Sequence, residues 1–339
     1  MIKKLFIITN ERIYENDGNF FCDNIDSKST PESLNKSFEV NVISRRSNKK
    51  RAHQINLKKI KTYKSFFLFL SSILNSTKES DAKFLIVSIT PYTFFASLIL
   101  KLFKKTPFIY LRSDGYKEYE IILGSLGKLL YHFMFSVIAS YSSLISCREQ
   151  ILNGKKGYVV SPSQIDENWF LNTKKNPLDD FKLLYVGRIK KEKGIFSLIK
   201  MIKDKDDIFL TIVGSEYENK RSVAQSNIKV FKNITDLKVL INFYDKNNVF
   251  ILPSFTEGHP MVLLEALARK RPVIIFKEID HVVGKKKGIF VSERNYESLY
   301  ATLKKIKENY NSIVEEMTQN ILPTRKEFDE AINKIIDTK

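Results

Sequence analysis

The sequence predicts two doubly wound parallel-sheet (Rossmann-like) α/β domains facing across a cleft, and three observations carry that expectation. Short apolar runs recur along the whole chain without in/out alternation, the mark of strands covered on both faces. Longer helix-like stretches separate them, which gives the βαβα rhythm of parallel sheets flanked by helices. The rhythm pauses only once, and 339 residues exceed what a single hydrophobic core usually organises.

In the first half the strand candidates are Leu5 to Thr9, Val40 to Ser44, Phe84 to Ile89, Phe108 to Leu111, Leu144 to Cys147 and Gly157 to Val160. Phe84 to Leu100 carries no charge over 17 residues, at the lower limit for crossing a bilayer. Thr90-Pro91 divides it, however, because Thr suits an N-cap and Pro the first helical turn. A buried strand feeding a buried helix is therefore expected, and the apolar stretch Ile121 to Tyr141 is expected to be a core helix. Ser161 to Asp180 is the pause: polar, with two prolines and the single tryptophan. It reads as a linker with Trp169 and Phe170 pinned into an interface or a core edge. Beyond it, strands are expected at Lys182 to Val186, Phe209 to Val213, Ile228 to Phe231, Val249 to Leu252, Val273 to Phe276 and Gly288 to Val291, with helices such as Ile195 to Lys203, Lys238 to Tyr244 and Met261 to Lys270. The expected domains are 1–165 and 166–322, with a helix in 323–339 packing back on the first.

Composition narrows the function. An apolar fraction of 43% with 28% charged residues is ordinary globular usage and excludes a disordered or collagenous chain. The two cysteines, Cys22 and Cys147, are too few for a disulfide framework, and the N-terminal apolar run is too short for a signal peptide. A cytoplasmic setting follows as the expectation. The net charge of +18 calls for an anionic partner. Residues 1–175 hold 27 basic against 15 acidic side chains, so an anionic membrane surface would meet the first half. Nucleic acid is the alternative from another class, but no recognised nucleic-acid motif is present, and none is expected as a partner. His53, His132, His259 and His281 have no ligand spacing, and Asp204-Lys205-Asp206 reads as a solvated turn. No metal or other cofactor is expected.

Two constellations carry chemistry. Pro253 to Glu265 (PSFTEGHPMVLLE) follows a strand, and Pro260 opens a helix. The free N–H groups of such a helix end suit a phosphate. Glu265 lies five residues further on, about 7.5 Å along the axis, roughly the distance from a bound diphosphate to a nucleotide ribose. Glu257 precedes the helix and can accept sugar hydroxyls. Against this stands a plainer possibility, in which Glu257 complements the helix dipole and Glu265 faces solvent. The second constellation is Val186 to Gly194 (VGRIKKEKG), also after a strand. Gly187 permits a tight turn, and Arg188 and Lys193 flank it where both can reach one diphosphate, unless the loop is simply a solvated basic one.

GRIKKEKG and EGHPMVLLE together resemble the G-R-x-x-x-x-K-G and E-x7-E patterns of family-four retaining glycosyltransferases with the B-type, two-Rossmann-domain fold. VGSE (Val213 to Glu216) and the later Pro272-Val273 agree with that family, and the resemblance covers residues 180 to 292. It implies transfer of a sugar from a nucleoside-diphosphate sugar to a hydroxyl of a glycan or lipid-linked acceptor, of the surface-polysaccharide type. The setting would be cytoplasmic, at the inner face of the membrane. Arg188 and Lys193 would neutralise the leaving diphosphate, and Glu257 with the segment Gly258, His259, Pro260, Met261 and Val262 would hold the donor sugar. Glu265 would bind the ribose, backbone at Val230 and Phe231 would meet the base, and Gly187 and Gly214 would line the donor pocket. Two departures stand out. The family usually has Gly where this chain has Lys270, so that turn is expected to differ. The family's frequent first-domain His is also absent from Ser88 to Tyr92 (SITPY) and Tyr110 to Tyr116 (YLRSDGY); Arg112 and Asp114 are candidates for sugar or acceptor contact, with a structural Arg–Asp pair as the alternative. Gly18, with Asn10 and Glu11, is a further candidate in the first loop. Epimerases and inverting transferases of the same fold share these marks.

Overall fold

The structure, a computed structural model, describes residues 3–173, 180–214 and 226–338. The chain forms two compact units, one of residues 1–162 with 326–339 and one of residues 163–325. In the first unit the order is β1 (Lys4–Asn16), β2 (Asn19–Cys22), α1 (Ile25–Leu34), β3 (Glu39–Ser47), β4 (His53–Ile55), β5 (Ile60–Tyr63), α2 (Phe66–Ser76), β6 (Lys83–Val87), α3 (Pro91–Leu102), β7 (Phe108–Leu111), α4 (Gly115–Ala139), β8 (Ser143–Ser146) and β9 (Gly157–Val159). The second holds β10 (Phe181–Val186), α5 (Ile195–Ile202), β11 (Ile208–Val213), β12 (Ile228–Phe231), α6 (Leu237–Lys246), β13 (Val249–Leu252), α7 (Met261–Ala268), β14 (Val273–Phe276), β15 (Ile289–Ser292), α8 (Tyr296–Glu308) and α9 (Tyr310–Glu316). Helix α10 (Arg325–Asp337) closes the chain.

Each unit is built on a parallel sheet. The first has the order β5-β3-β1-β6-β7-β8-β9, with β2 and β4 added antiparallel beyond the end of β1. The second runs β12-β11-β10-β13-β14-β15, every pair parallel. That order reverses between β10 and β13, and ligands of open α/β sheets bind at the strand carboxyl ends beside such a reversal. The continuous apolar runs are the reason: β13 and β14 are buried at every position.

Helix α3 begins as the sequence suggests, with Thr90 as N-cap in a reciprocal capping box with Thr93 and Pro91 in the first turn. Helix α10 buries Phe328, Ile332 and Ile336, one face at i, i+4 and i+8, in the first unit's core. Lys83 Nζ bonds the carbonyls of Ile336 and Asp337, at 2.5 and 2.9 Å, where the helix end is electronegative.

Three expectations need correction. Trp169 is fully buried in the second unit's core, edge-on to Tyr244 at 5.4 Å, but Phe170 is 47% exposed. The turn after α7 keeps its shape without glycine. Lys270 itself takes φ 55°, while Lys270 N–H bonds Leu267 O and Arg271 N–H bonds Ala266 O, both at 2.9 Å. This is a Schellman arrangement. It is flanked by two fully buried arginines, and Arg269 pairs with Asp245 through Nε at 3.0 Å and Nη2 at 2.8 Å. Finally, the apolar stretch expected in the core belongs to α4, whose Leu126, Leu129 and Phe133 are exposed. Apolar composition alone does not distinguish a core helix from one lying on the surface.

Candidate functional site

The site in the second unit forms where β10, β11 and β12 end. Gly187 N–H donates to Val213 O at 2.9 Å and Gly214 N–H to Phe231 O at 3.1 Å, so the ladder continues past the strands. Gly214 has no room for a side chain: a Cβ there would stand 2.2 Å from the Gly187 carbonyl oxygen. Gly187, Gly214, Val230 and Phe231 therefore share one edge. Phe231 packs edge-on against Phe243 at 4.8 Å. Ser215 and Glu216 of the VGSE segment lie outside the described residues.

Two loops meet over the β10/β13 reversal. The first runs from Gly187 through a 3₁₀ turn (Lys191–Lys193) to α5, and the Tyr185 hydroxyl donates to Arg188 O at 2.7 Å. The second, residues 253–260, joins β13 to α7. They touch at backbone level: Phe255 N–H donates to Glu192 O at 3.0 Å, and a Cβ on Gly194 would lie 1.7 Å from Pro253 O. Gly194 also has φ 65°, so only glycine fits both demands.

This contact brings two of the predicted catalytic residues together. Lys193 Nζ lies 2.7 Å from Glu257 Oε1, with side chains 20% and 10% exposed, and Ser254 Oγ donates to the same oxygen at 2.6 Å. An ammonium has three donors, so Lys193 can hold Glu257 and still offer N–H groups to an anion. Arg188 is exposed, and among the described residues no ion pair involves it. Helix α7 starts from Pro260 with no side chain capping it, which leaves first-turn N–H groups for an anion. Pro260 itself has no N–H, so the amides of this segment are those of Gly258, His259, Met261 and Val262.

Glu265 does not face solvent. It is 7% exposed and accepts a hydrogen bond from the Tyr244 hydroxyl at 2.7 Å. Loss of hydration pushes its pKa up to about 7, against the lowering effect of that bond, and burial raises the Tyr244 phenol in turn. Tyr244 also meets Trp169, so the ring behind Glu265 is braced by the segment entering the unit.

Residue-by-residue reasoning missed the brace of the second loop. Arg294 Nη1 bonds Pro253 O at 2.9 Å, Nη2 bonds Ser254 O at 3.3 Å and Nε bonds Glu278 Oε1 at 2.6 Å. Its guanidinium lies over Phe255 at 4.0 Å and Phe276 at 4.5 Å. His281, set aside from the sequence, reaches Glu257 O at 3.0 Å through Nε2. Among the described residues no three His, Cys, Asp or Glu are grouped to hold a metal ion.

In the first unit the candidates separate. Gly18 follows the end of β1, a long strand that includes Asn10 and Glu11. With Asp17 (φ 48°) it forms the two-residue turn, φ 75°, of the β1/β2 hairpin, whose last pair is Asn16 with Asn19. Primed turns of this kind favour Asp-Gly, which gives Gly18 a structural reason to be there. Arg112 and Asp114 do not pair with each other. Asp114 caps α4 by accepting from Lys117 N–H at 3.2 Å, and Arg112 reaches Asp26 at 3.5 Å and Ser27 Oγ at 3.4 Å. Arg112 and Asp26 line a small cavity, about 20 Å³, together with Thr9, Val87 and Tyr110.

Comparison with known proteins agrees with this arrangement. Residues 170–327 match the family model described as glycosyl transferases group 1. A capsular polysaccharide biosynthesis glycosyltransferase, CapM of Staphylococcus aureus, is 33% identical over 144 residues, which is 38% of this chain and 37% of CapM. The curated relatives are thus matched over about a third of their length. Among solved structures, the sucrose-phosphate synthase of Thermosynechococcus elongatus superposes with TM-score 0.70 at 14% identity, covering 99% of both chains. Anabaena HepE, solved with UDP and glucose, gives TM-score 0.68 at 12% identity over 99% of this chain and 95% of that one. These superpositions show the two-Rossmann, B-type fold.

Proposed function

We propose that this chain, whose residues 170–327 match the glycosyl transferases group 1 model and whose fold is the B-type, moves a sugar from a nucleoside-diphosphate sugar to a hydroxyl of a glycan or lipid-linked acceptor in surface-polysaccharide assembly. The observation that carries the reading is the Lys193–Glu257 pair beside the uncapped end of α7. It sets a cation, a carboxylate and the backbone amides of a helix start at one strand-end reversal, where a donor's diphosphate and sugar have complementary demands. CapM's role in capsule biosynthesis supports the polysaccharide acceptor.

In this reading Arg188 and Lys193, with the α7 amides, stabilise the charge that develops on the departing diphosphate. Glu257 is a sugar-hydroxyl acceptor held in place by Lys193 and Ser254, and Glu265 receives the ribose hydroxyls. No protein nucleophile and no metal ion take part, and attack proceeds on the face the leaving group vacates, with retention. In the first unit Arg112 and Asp114 are the candidates for contact with the acceptor or the sugar. The enzyme works in the cytoplasm, as a peripheral protein at the inner face of the membrane. HepE was solved with UDP, so uracil is the first base to test.

The test is to incubate the protein with pooled nucleotide sugars, follow donor loss by mass spectrometry, and assign the product anomer by NMR. A product with the donor's anomeric configuration, formed equally well with chelator present, is expected. An inverted product or a free epimerised sugar would replace this mechanism with that of an inverting transferase or an epimerase.

A further inference from the structure

The first unit carries a surface that none of the chemistry above uses. Helix α4 is long and apolar enough to cross a membrane by length and composition, yet only 28% of its most apolar 18-residue stretch is buried. One side, including Tyr131, Met134, Phe135 and Ile138, packs into the unit's core. The other presents Leu126 (76% exposed), Leu129 (64%), Leu130 (42%) and Phe133 (58%) to the outside. Their spacing of i, i+3, i+4 and i+7 is that of an apolar stripe meeting a partner. Just before it, Gly124 takes φ 67°, ψ −154°, open to glycine alone, and breaks the helix. Ile121, Ile122 and Leu123 stand exposed at that break.

Two more helices carry exposed apolar groups, joined to this stripe by a chain of rings in which Phe94 is itself buried. Phe133 meets Phe94 at 5.8 Å, Phe94 meets Phe95 at 5.6 Å, Phe95 meets Phe66 at 5.6 Å and Phe66 meets Phe67 at 5.9 Å. Phe67 is 80% exposed. A contiguous apolar face of this kind on a folded unit marks an interaction. Its borders are basic: Lys64, Lys101, Lys104, Lys117 and Lys128 are exposed on or beside these helices. Helices α2 and α3 contain no acidic residue; α4 has two, the exposed Glu118 in its first turn and Glu120, which is paired with Lys128 at 3.3 Å, so lysines outnumber carboxylates along the border.

We propose that the α2–α3–α4 face docks on an anionic lipid bilayer by inserting these apolar side chains at the headgroup boundary, with the flanking lysines on the phosphates. The inference deepens the membrane placement of the proposed function and rests on that reading. It changes the physical basis from charge attraction alone to charge plus apolar insertion. Helix α4 lies in the interface and does not span the bilayer, because its other side belongs to the unit's core. A second copy of the chain fits less well, since a two-fold contact would set the same lysines against each other.

Flotation with vesicles of phosphatidylethanolamine and phosphatidylglycerol, at low and high salt, tests the proposal on the full chain. The comparison is with the triple variant Leu126→Gln, Leu130→Gln, Phe133→Gln, whose melting temperature should match wild type because all three positions are exposed. Wild type should float and keep part of its binding in high salt, and the triple variant should bind at least about a hundredfold more weakly. Leu126→Trp, read against the single buried Trp169, should show blue-shifted emission on these vesicles. Wild-type binding that high salt abolishes and the triple variant shares would overturn apolar insertion while leaving an electrostatic membrane placement intact. No vesicle binding by wild type would overturn both. A wild-type dimer that the triple variant dissociates, without vesicle binding, would assign the face to a second copy.

Discussion

Glu265 gives the account its sharpest quantitative consequence. Burial lifts its carboxyl from an ordinary 4.5 to about 7 in the folded protein. The folded value lies above the unfolded one, so the folded state holds the proton more tightly. The stability this confers is complete below pH 4.5 and is lost as pH rises through 7. The displacement is worth about 3 kcal/mol. Glu265→Gln stays neutral and keeps an oxygen for the Tyr244 hydroxyl. In urea unfolding, the free-energy difference between wild type and this variant should therefore move by about 3 kcal/mol between roughly pH 4.5 and 8, in the variant's favour at high pH. The same group should link proton release to nucleotide binding, because a carboxylate that accepts two ribose hydroxyls must be ionised. Nucleoside diphosphate affinity in wild type should thus weaken about tenfold from pH 8 to pH 6, and Glu265→Gln should bind weakly at both. A stability difference that does not change with pH would refute the buried carboxyl. A pH-independent affinity would refute its role at the ribose.

Three further outcomes follow from the loop contacts and the buried pairs. Arg294→Ala removes the brace on Pro253 and Ser254; turnover should fall at least about tenfold, and Arg294→Lys should not restore it because a single ammonium cannot replace the fork. Steady-state kinetics on both variants checks this. Gly194→Ala places a methyl against Pro253 O at a positive φ; it should cost more than the roughly 1–2 kcal/mol of the backbone conformation alone, read as a lowered melting temperature. Asp245→Ala leaves Arg269 and Arg271 buried without their carboxylate and should destabilise by about 3–5 kcal/mol in denaturant unfolding.

Where the sequence was informative, burial on both faces was the cause. Strands such as Val249–Leu252 and Val273–Phe276 are buried at every position, so their composition announces them. The strands it did not reveal are short, partly exposed pieces, Asn19–Cys22, His53–Ile55 and Ile60–Tyr63, which mix polar and apolar residues. The meeting of the two site loops was legible only through a family resemblance, since Lys193 and Glu257 lie 64 residues apart. Nothing local marks Arg294 within its polar turn or Tyr244 as the partner of Glu265; both act through tertiary contact. Lys270 shows the converse. The absence of glycine suggested a different turn, but the backbone bonds of the helix end hold a lysine in the left-handed region.

The central claim is that Lys193, Arg188 and the end of α7 converge on one diphosphate. Calorimetric titration of UDP, GDP, CDP and ADP into wild type and into the Arg188→Ala, Lys193→Ala double variant tests it most directly. One nucleotide should bind wild type and lose at least about a hundredfold in affinity in the folded double variant, while the corresponding nucleoside, lacking phosphate, should bind both alike. Equal diphosphate affinity in the two proteins would contradict the account.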